Sequence, residues 1–189
     1  MLDIALQFLK DELNSYIVAR AGSASIEVKL TKMVDDTGKY AFLEQEVGVS
    51  LINIEEERVV REHLPRYSTA NNQRIVQEPE LRLNLYLIFA ANFTQYDQAL
   101  KCLSLIMAFF QSHPVFTVSR YPALDSRIDK LVVELQTLSY EQINQVWASI
   151  GARQLPALIY KVRMVIIRDA EPELAGPPIT TIATTMKGQ

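Results

Sequence analysis

Residues Leu81–Gln111 read LRLNLYLIFAANFTQYDQALKCLSLIMAFFQ, and the change of period inside this stretch decides the fold. Leu81, Leu83, Leu85, Leu87 and Phe89 alternate with other residues, which puts five apolar side chains on one face of an extended strand running to Phe93. The opposite face runs Arg82, Asn84, Tyr86, Ile88, Ala90, so it starts wet and ends buried. After Phe93 the apolar steps lengthen to three and four. Ala99, Leu103, Ile106 and Phe110 line one helical stripe, widened by Leu100 and Met107. Thr94, with Asp97 three residues on, matches a capping signature at the helix start. His113-Pro114 stops the helix, because proline disfavours helical geometry in the residue before it.

The flanking segments follow the same two periods. Leu2, Leu6, Leu9, Leu13 and Ile17 predict a helix over residues 2–18, closed by Gly22. Ile26–Leu30 alternates strictly and reads as a strand, followed by turn chemistry at Asp35–Gly38. A second strand covers residues 46–55. There Val47, Val49 and Leu51 share one face before Ile52 and Ile54 take the other, a switch of parity that predicts a bulge or burial on both sides. Leu131, Val133 and Leu135 form another strand. Ser139-Tyr-Glu-Gln142 is a capping box opening a short helix to Ile150, with Gly151 as its C-cap. Leu158, Tyr160, Val162, Met164 and Ile166 make a closing strand. From Glu55 to Glu80 the pattern dissolves and no element is placed; such a stretch inside a domain is functional or disordered. Beyond Arg168, Pro172, Gly176, Pro177, Pro178 and a Thr-rich end read as a tail.

The expected architecture is therefore α+β, a mixed and largely antiparallel sheet of about five strands packed with three helices. Residues 1–168 form one domain and residues 169–189 an extended tail. At 189 residues, with 49% hydrophobic and 22% charged composition, the chain has ordinary globular usage and needs neither disulfide nor metal. A lone cysteine, Cys102, excludes an internal disulfide and fits a reducing compartment. Asp3 stands where a signal peptide would carry positive charge, so synthesis in the cytoplasm is expected. The longest apolar run, Leu85–Ala91, is too short to span a bilayer, which argues against membrane insertion.

No residue pattern in the chain carries catalytic or ligand-binding chemistry. Glu55, Glu56 and Glu57 are consecutive, so on a strand they point different ways and do not converge on a metal or form an acid–base pair. His63 and His113 lie in no metal-ligand spacing, and Cys102 sits among leucines on a helix, the setting of an inert packed thiol. No nucleophile elbow, Walker loop or dinucleotide motif occurs. The net charge is −3. Arg58, Arg61, Arg66 and Arg74 are offset by Glu55, Glu56, Glu57 and Glu62, so no basic face for nucleic acid forms. No catalytic, cofactor-binding or metal residue is expected. The chain reads as a docking protein, not an enzyme.

Three segments together resemble a known family. Ser50–Glu62 (SLINIEEERVVRE) resembles its strand and acidic triplet, Leu81–Gln111 its central strand and helix, and Lys130–Ile167 its closing strand–helix–strand. The family is the tail-terminator, or cap, proteins of phage-tail-like contractile injection systems of the antifeeding-prophage and virulence-cassette type. The resemblance implies a tail-terminator-like fold and a homo-hexameric ring on the end of the particle distal to the baseplate. There it would bind the last sheath and inner-tube layers and end their polymerisation. It implies no catalytic residues, and a cytoplasmic protein incorporated into a particle that can leave the cell. Glu55, Glu56, Glu57, Arg58 and Arg61 are the expected rim pairing across subunits. Ile179 and Ile182, in the β-branched stretch ITTIATTM, are the expected contacts of a tail added as a strand to a neighbour, the alternative being a disordered terminus. The alternatives are an adaptor linking the particle to another component, or a regulatory domain that binds a small ligand.

Overall fold

The computed structural model describes residues 1–21, 26–57, 66–70, 73–77, 81–166 and 173–175. Among the described residues, three helices, α1 (Leu2–Ala21), α2 (Tyr96–Ser112) and α3 (Tyr140–Ile150), accompany nine strands. These are β1 (Glu27–Leu30), β2 (Glu46–Glu56), β3 (Arg66–Ala70), β4 (Gln73–Gln77), β5 (Leu81–Asn92), β6 (Val115–Thr117), β7 (Ile128–Leu135), β8 (Ala157–Ile166) and β9 (Glu173–Ala175). The main sheet has six strands in the order β1-β2-β5-β8-β7-β6. Its β1–β2 pair is parallel and the other four pairs are antiparallel. The α+β class and the mixed, largely antiparallel sheet therefore hold.

Each face of this sheet carries a core. On one, α1 and α2 pack through Leu9, Leu13, Ile17, Ile106 and Phe110 against Val47, Leu85, Leu87, Phe89 and Val162. These are the alternating positions that the sequence puts inward. On the other, α3 and the 31–45 connection bring Trp147, Met33 and Phe42 onto Ile88, Ala90 and Ile159. The second face of β5 is thus apolar only where this cover reaches, and Arg82, Asn84 and Tyr86 lie past it. The parity switch in β2 is a bulge: Leu51 pairs with Leu87 and Asn53 with Tyr86, leaving Ile52 as the extra residue.

Local signals were obeyed unevenly. Ser139 Oγ accepts from the Gln142 N–H at 3.2 Å and the Ser139 N–H donates to Gln142 Oε1 at 2.9 Å. Gly151 closes α3 at φ 74°, so both ends of that helix form as read. Thr94 does not cap α2. The N-cap is Gln95, without a side-chain cap bond, because the Thr94 hydroxyl is drawn to Glu44 Oε2 at 3.0 Å. Here a tertiary partner outcompetes the local one.

The stretch between Glu55 and Glu80, read as lacking any element, contains the hairpin β3–β4, and β9 pairs antiparallel with β4. This three-stranded sheet, in the order β3-β4-β9, repeats the order of the strands its members adjoin in the chain. β3 follows β2, β4 precedes β5, and β9 follows β8. Only two residues, Asn71-Asn72, separate β3 from β4, a spacing that signals a tight hairpin. The strands themselves, RYSTA and QRIVQ, lack an alternating apolar face. Three residues of the proline-rich stretch after Arg168 are β9.

Candidate protein interface

Past Ile88, the face of the main sheet turned away from α1 and α2 carries two polar rows. Directly paired residues share a face. One row is Asn53, Tyr86, Lys161 and Glu134; the next is Glu55, Asn84, Arg163 and Val132. Glu55 stands on β2 and the bases Lys161 and Arg163 on β8, with the amide and phenol of β5 between them, and Glu134 adds an acid on β7. At about 4.8 Å per strand, the β2 and β8 columns are about 10 Å apart, too far for direct pairing.

Each column is held by neighbours. The Tyr86 hydroxyl donates to Glu55 Oε2 at 2.8 Å, and Asn84 Nδ2 donates to Glu57 Oε2 at 3.1 Å. Arg163 is ion-paired with Glu134. Burial, and behind it the bond to the Glu55 carboxylate, pushes the Tyr86 phenol above its ordinary value, so it stays a donor at neutral pH. Asn84 is 5% exposed, and its Oδ1 has no hydrogen-bond partner among the described residues.

The acidic triplet is therefore divided. Glu55 and Glu57 hang on the polar rows, while Glu56 pairs with Leu83, a residue of the apolar face. Glu55 is exposed, Glu56 and Glu57 half-buried. Strand alternation predicts this separation, and it rules the three out as one convergent carboxylate site. Arg58, Arg61, Ile179 and Ile182 lie outside the described residues, as does His63. Lys161, Arg163, Glu134 and Tyr86 were not singled out from sequence. Their signal is the wet parity of β5, β7 and β8, legible only once those strands are neighbours.

The other reactive side chains are accounted for by packing. Cys102 is fully buried, and burial pushes its thiol up to about 12. His113 stacks on Phe109 at 5.0 Å between ring centroids and faces Ser112 Oγ through Nδ1 at 3.0 Å. Among the described residues, no group of three or more His, Cys, Asp or Glu side chains is placed to hold a metal. No helix among them is long and apolar enough to cross a membrane.

No curated protein matches the chain in sequence. In three dimensions it is similar to the sheath/tube terminator of the PVC extracellular contractile injection system in its extended state. The TM-score is 0.67 at 13% identity, over 100% of this chain and 64% of that one. It is also similar to the tube-terminating cap of the anti-feeding prophage, with a TM-score of 0.64 at 16% identity, over 98% of this chain and 61% of that one. The chain spans less than two thirds of the length of either. At these identities the likeness is one of fold. Residues 5–181 match the Pvc16 N-terminal domain, so the family resemblance read from the sequence holds, and the chain belongs to that family.

Proposed function

We propose that this chain is a structural cap. Copies close into a six-membered ring on the baseplate-distal end of a contractile, phage-tail-like particle, bind the last sheath and inner-tube layers, and end their growth. The observation that carries this reading is a fold that nearly the whole of this chain shares with part of two terminator caps, 64% and 61% of their length. Family membership over residues 5–181 supports it. A ring requires heterologous contacts, in which one surface meets a different surface of the next copy. A face with acids on one strand and bases two strands away offers both halves of such a contact. Glu55 and Glu57, with Arg58 and Arg61, form the rim on that face in this reading, Glu56 lies on the other face of the same strand end, and Arg163 and Lys161 form the opposing surface.

The role is binding and not catalysis. The buried thiol and the packed His113 fit that reading. The tail from residue 169 carries Ile179 and Ile182, which engage a neighbouring subunit or the last sheath layer. The protein is made in the cytoplasm and joins the particle there. Electron microscopy of particles assembled with and without the chain tests the proposal. The expected result is a ring at one end and uniform length with it, and scattered sheath and tube lengths without it. Particles of normal length and closed ends in its absence would overturn it.

A further inference from the structure

The outer edge of β1 is occupied at Val28. β1 runs parallel to β2 with Val28 opposite Val47, and the Thr31 N–H donates to the Val49 carbonyl at 2.9 Å. That phase of a parallel ladder turns the backbone groups of Lys29 and Thr31 toward β2 and those of Val28 away from it. The outward groups of Val28 meet Asn14 of α1. Asn14 Nδ2 donates to the Val28 carbonyl at 2.9 Å, and Asn14 Oδ1 accepts from the Val28 N–H at 2.9 Å. A carboxamide carries a donor and an acceptor in one plane, as a peptide group does. Asn14 stands where the peptide of a seventh strand would stand.

The far edge is blunted by other means. β6 has three residues, follows Pro114, and turns away at Thr117. The Thr117 carbonyl accepts from the Arg120 and Tyr121 N–H groups at 3.1 and 2.8 Å. An open strand edge is a template for pairing with another chain, and proteins that must not extend their sheets block it.

We propose that Asn14 closes the β1 edge against strand addition by a second copy of this chain. Copies then do not extend the six-stranded sheet through its β1 edge from one subunit into the next. An incoming strand has to break both Asn14 bonds and leave a half-buried amide without partners, which disfavours the exchange. This inference stands on the two hydrogen bonds and is independent of the cap reading.

The test uses the full chain carrying Asn14→Ala or Asn14→Asp, followed by light scattering across a concentration series and by hydrogen exchange at the Val28 amide. Asn14→Ala removes both bonds. The expected result is Val28 exchange faster by about tenfold or more at dilutions where the chain does not associate, and, at higher concentration, species larger than those of the unaltered chain that grow with concentration. Asn14→Asp keeps an acceptor for the Val28 N–H but, ionised, cannot donate to its carbonyl. Its exchange stays slow while weaker association appears, and it carries the test if the alanine variant fails to fold. A folded variant whose size distribution matches the unaltered chain overturns the proposal. So does a Val28 amide that remains protected in Asn14→Ala at dilutions where the chain does not associate.

Discussion

Phe42 packs so closely on Gly48 that a β-carbon on the glycine would lie 2.5 Å from two atoms of the ring. Gly48 sits within β2, opposite Ala90 of β5, and Phe42 is a buried member of the core beneath α3. The absence of a side chain at residue 48 is what lets the 31–45 connection lie down on the sheet. Gly48→Ala is expected to destabilise the fold by about 1–3 kcal/mol through overpacking. Urea denaturation measures it. A neutral result would mean that Phe42 swings aside freely.

Charge reversal at the acidic rim separates assembly from stability. Glu55 is exposed, and among the described residues its carboxylate is held from the side by Tyr86 and Asn53. Glu55→Lys should weaken ring assembly while moving stability by less than about 0.5 kcal/mol. Glu57 accepts from the buried amide of Asn84. Glu57→Lys should therefore cost about 1–3 kcal/mol as well, because the amide loses its acceptor. Melting curves and light scattering on the same samples distinguish the two effects. Equal stability losses would place Glu55 in the fold and not in the interface.

Acid should weaken the junction of β1 and β2 through Glu46. Its carboxylate accepts from Lys29 Nζ at 2.5 Å and from the Leu43 N–H at 2.7 Å. Burial alone would raise its pKa, but these two bonds outweigh burial and hold it below the ordinary 4.5. A depressed folded-state value means the contribution is complete above pH 4.5 and is lost as the pH falls through that lower value. Lys29 is shifted the other way, raised above 10.5 chiefly by the same bond to Glu46, so its share is lost only at high pH. Glu46→Gln should be less stable than the unaltered chain at pH 7, with the gap closing in acid. Denaturation midpoints at pH 7 and pH 3 check it; a gap independent of pH would assign the effect to packing.

Removing residues 176–189 tests the tail without touching β9, which ends at Ala175 and pairs with β4. The shortened chain should keep its melting temperature within about 2 °C yet bind particle ends poorly, because Ile179 and Ile182 are gone. Normal capping by the shortened chain would move the docking surface onto the domain itself. Cutting after Arg168 is the less clean experiment, since it also deletes a strand.

Local periodicity was enough to determine the long elements of this protein. The period-two run of Leu81–Phe89, the helical stripe of Ala99–Phe110 and the box at Ser139–Gln142 each confine their own information to a few turns or one strand face. The wet-to-apolar gradient from Arg82 to Ala90 even foretold that β5 would be half covered. Pairing between distant segments decided the rest. RYSTA and QRIVQ hold too little apolar surface to announce themselves, and they are strands because β2 and β5 deliver them side by side. Thr94 left its capping position for Glu44, fifty residues away. The rows that join Glu55 to Arg163, and Tyr86 to Lys161, exist only through the register of β2, β5 and β8. Register is set by long-range packing, and a side chain's neighbours across a sheet are not written in its own segment.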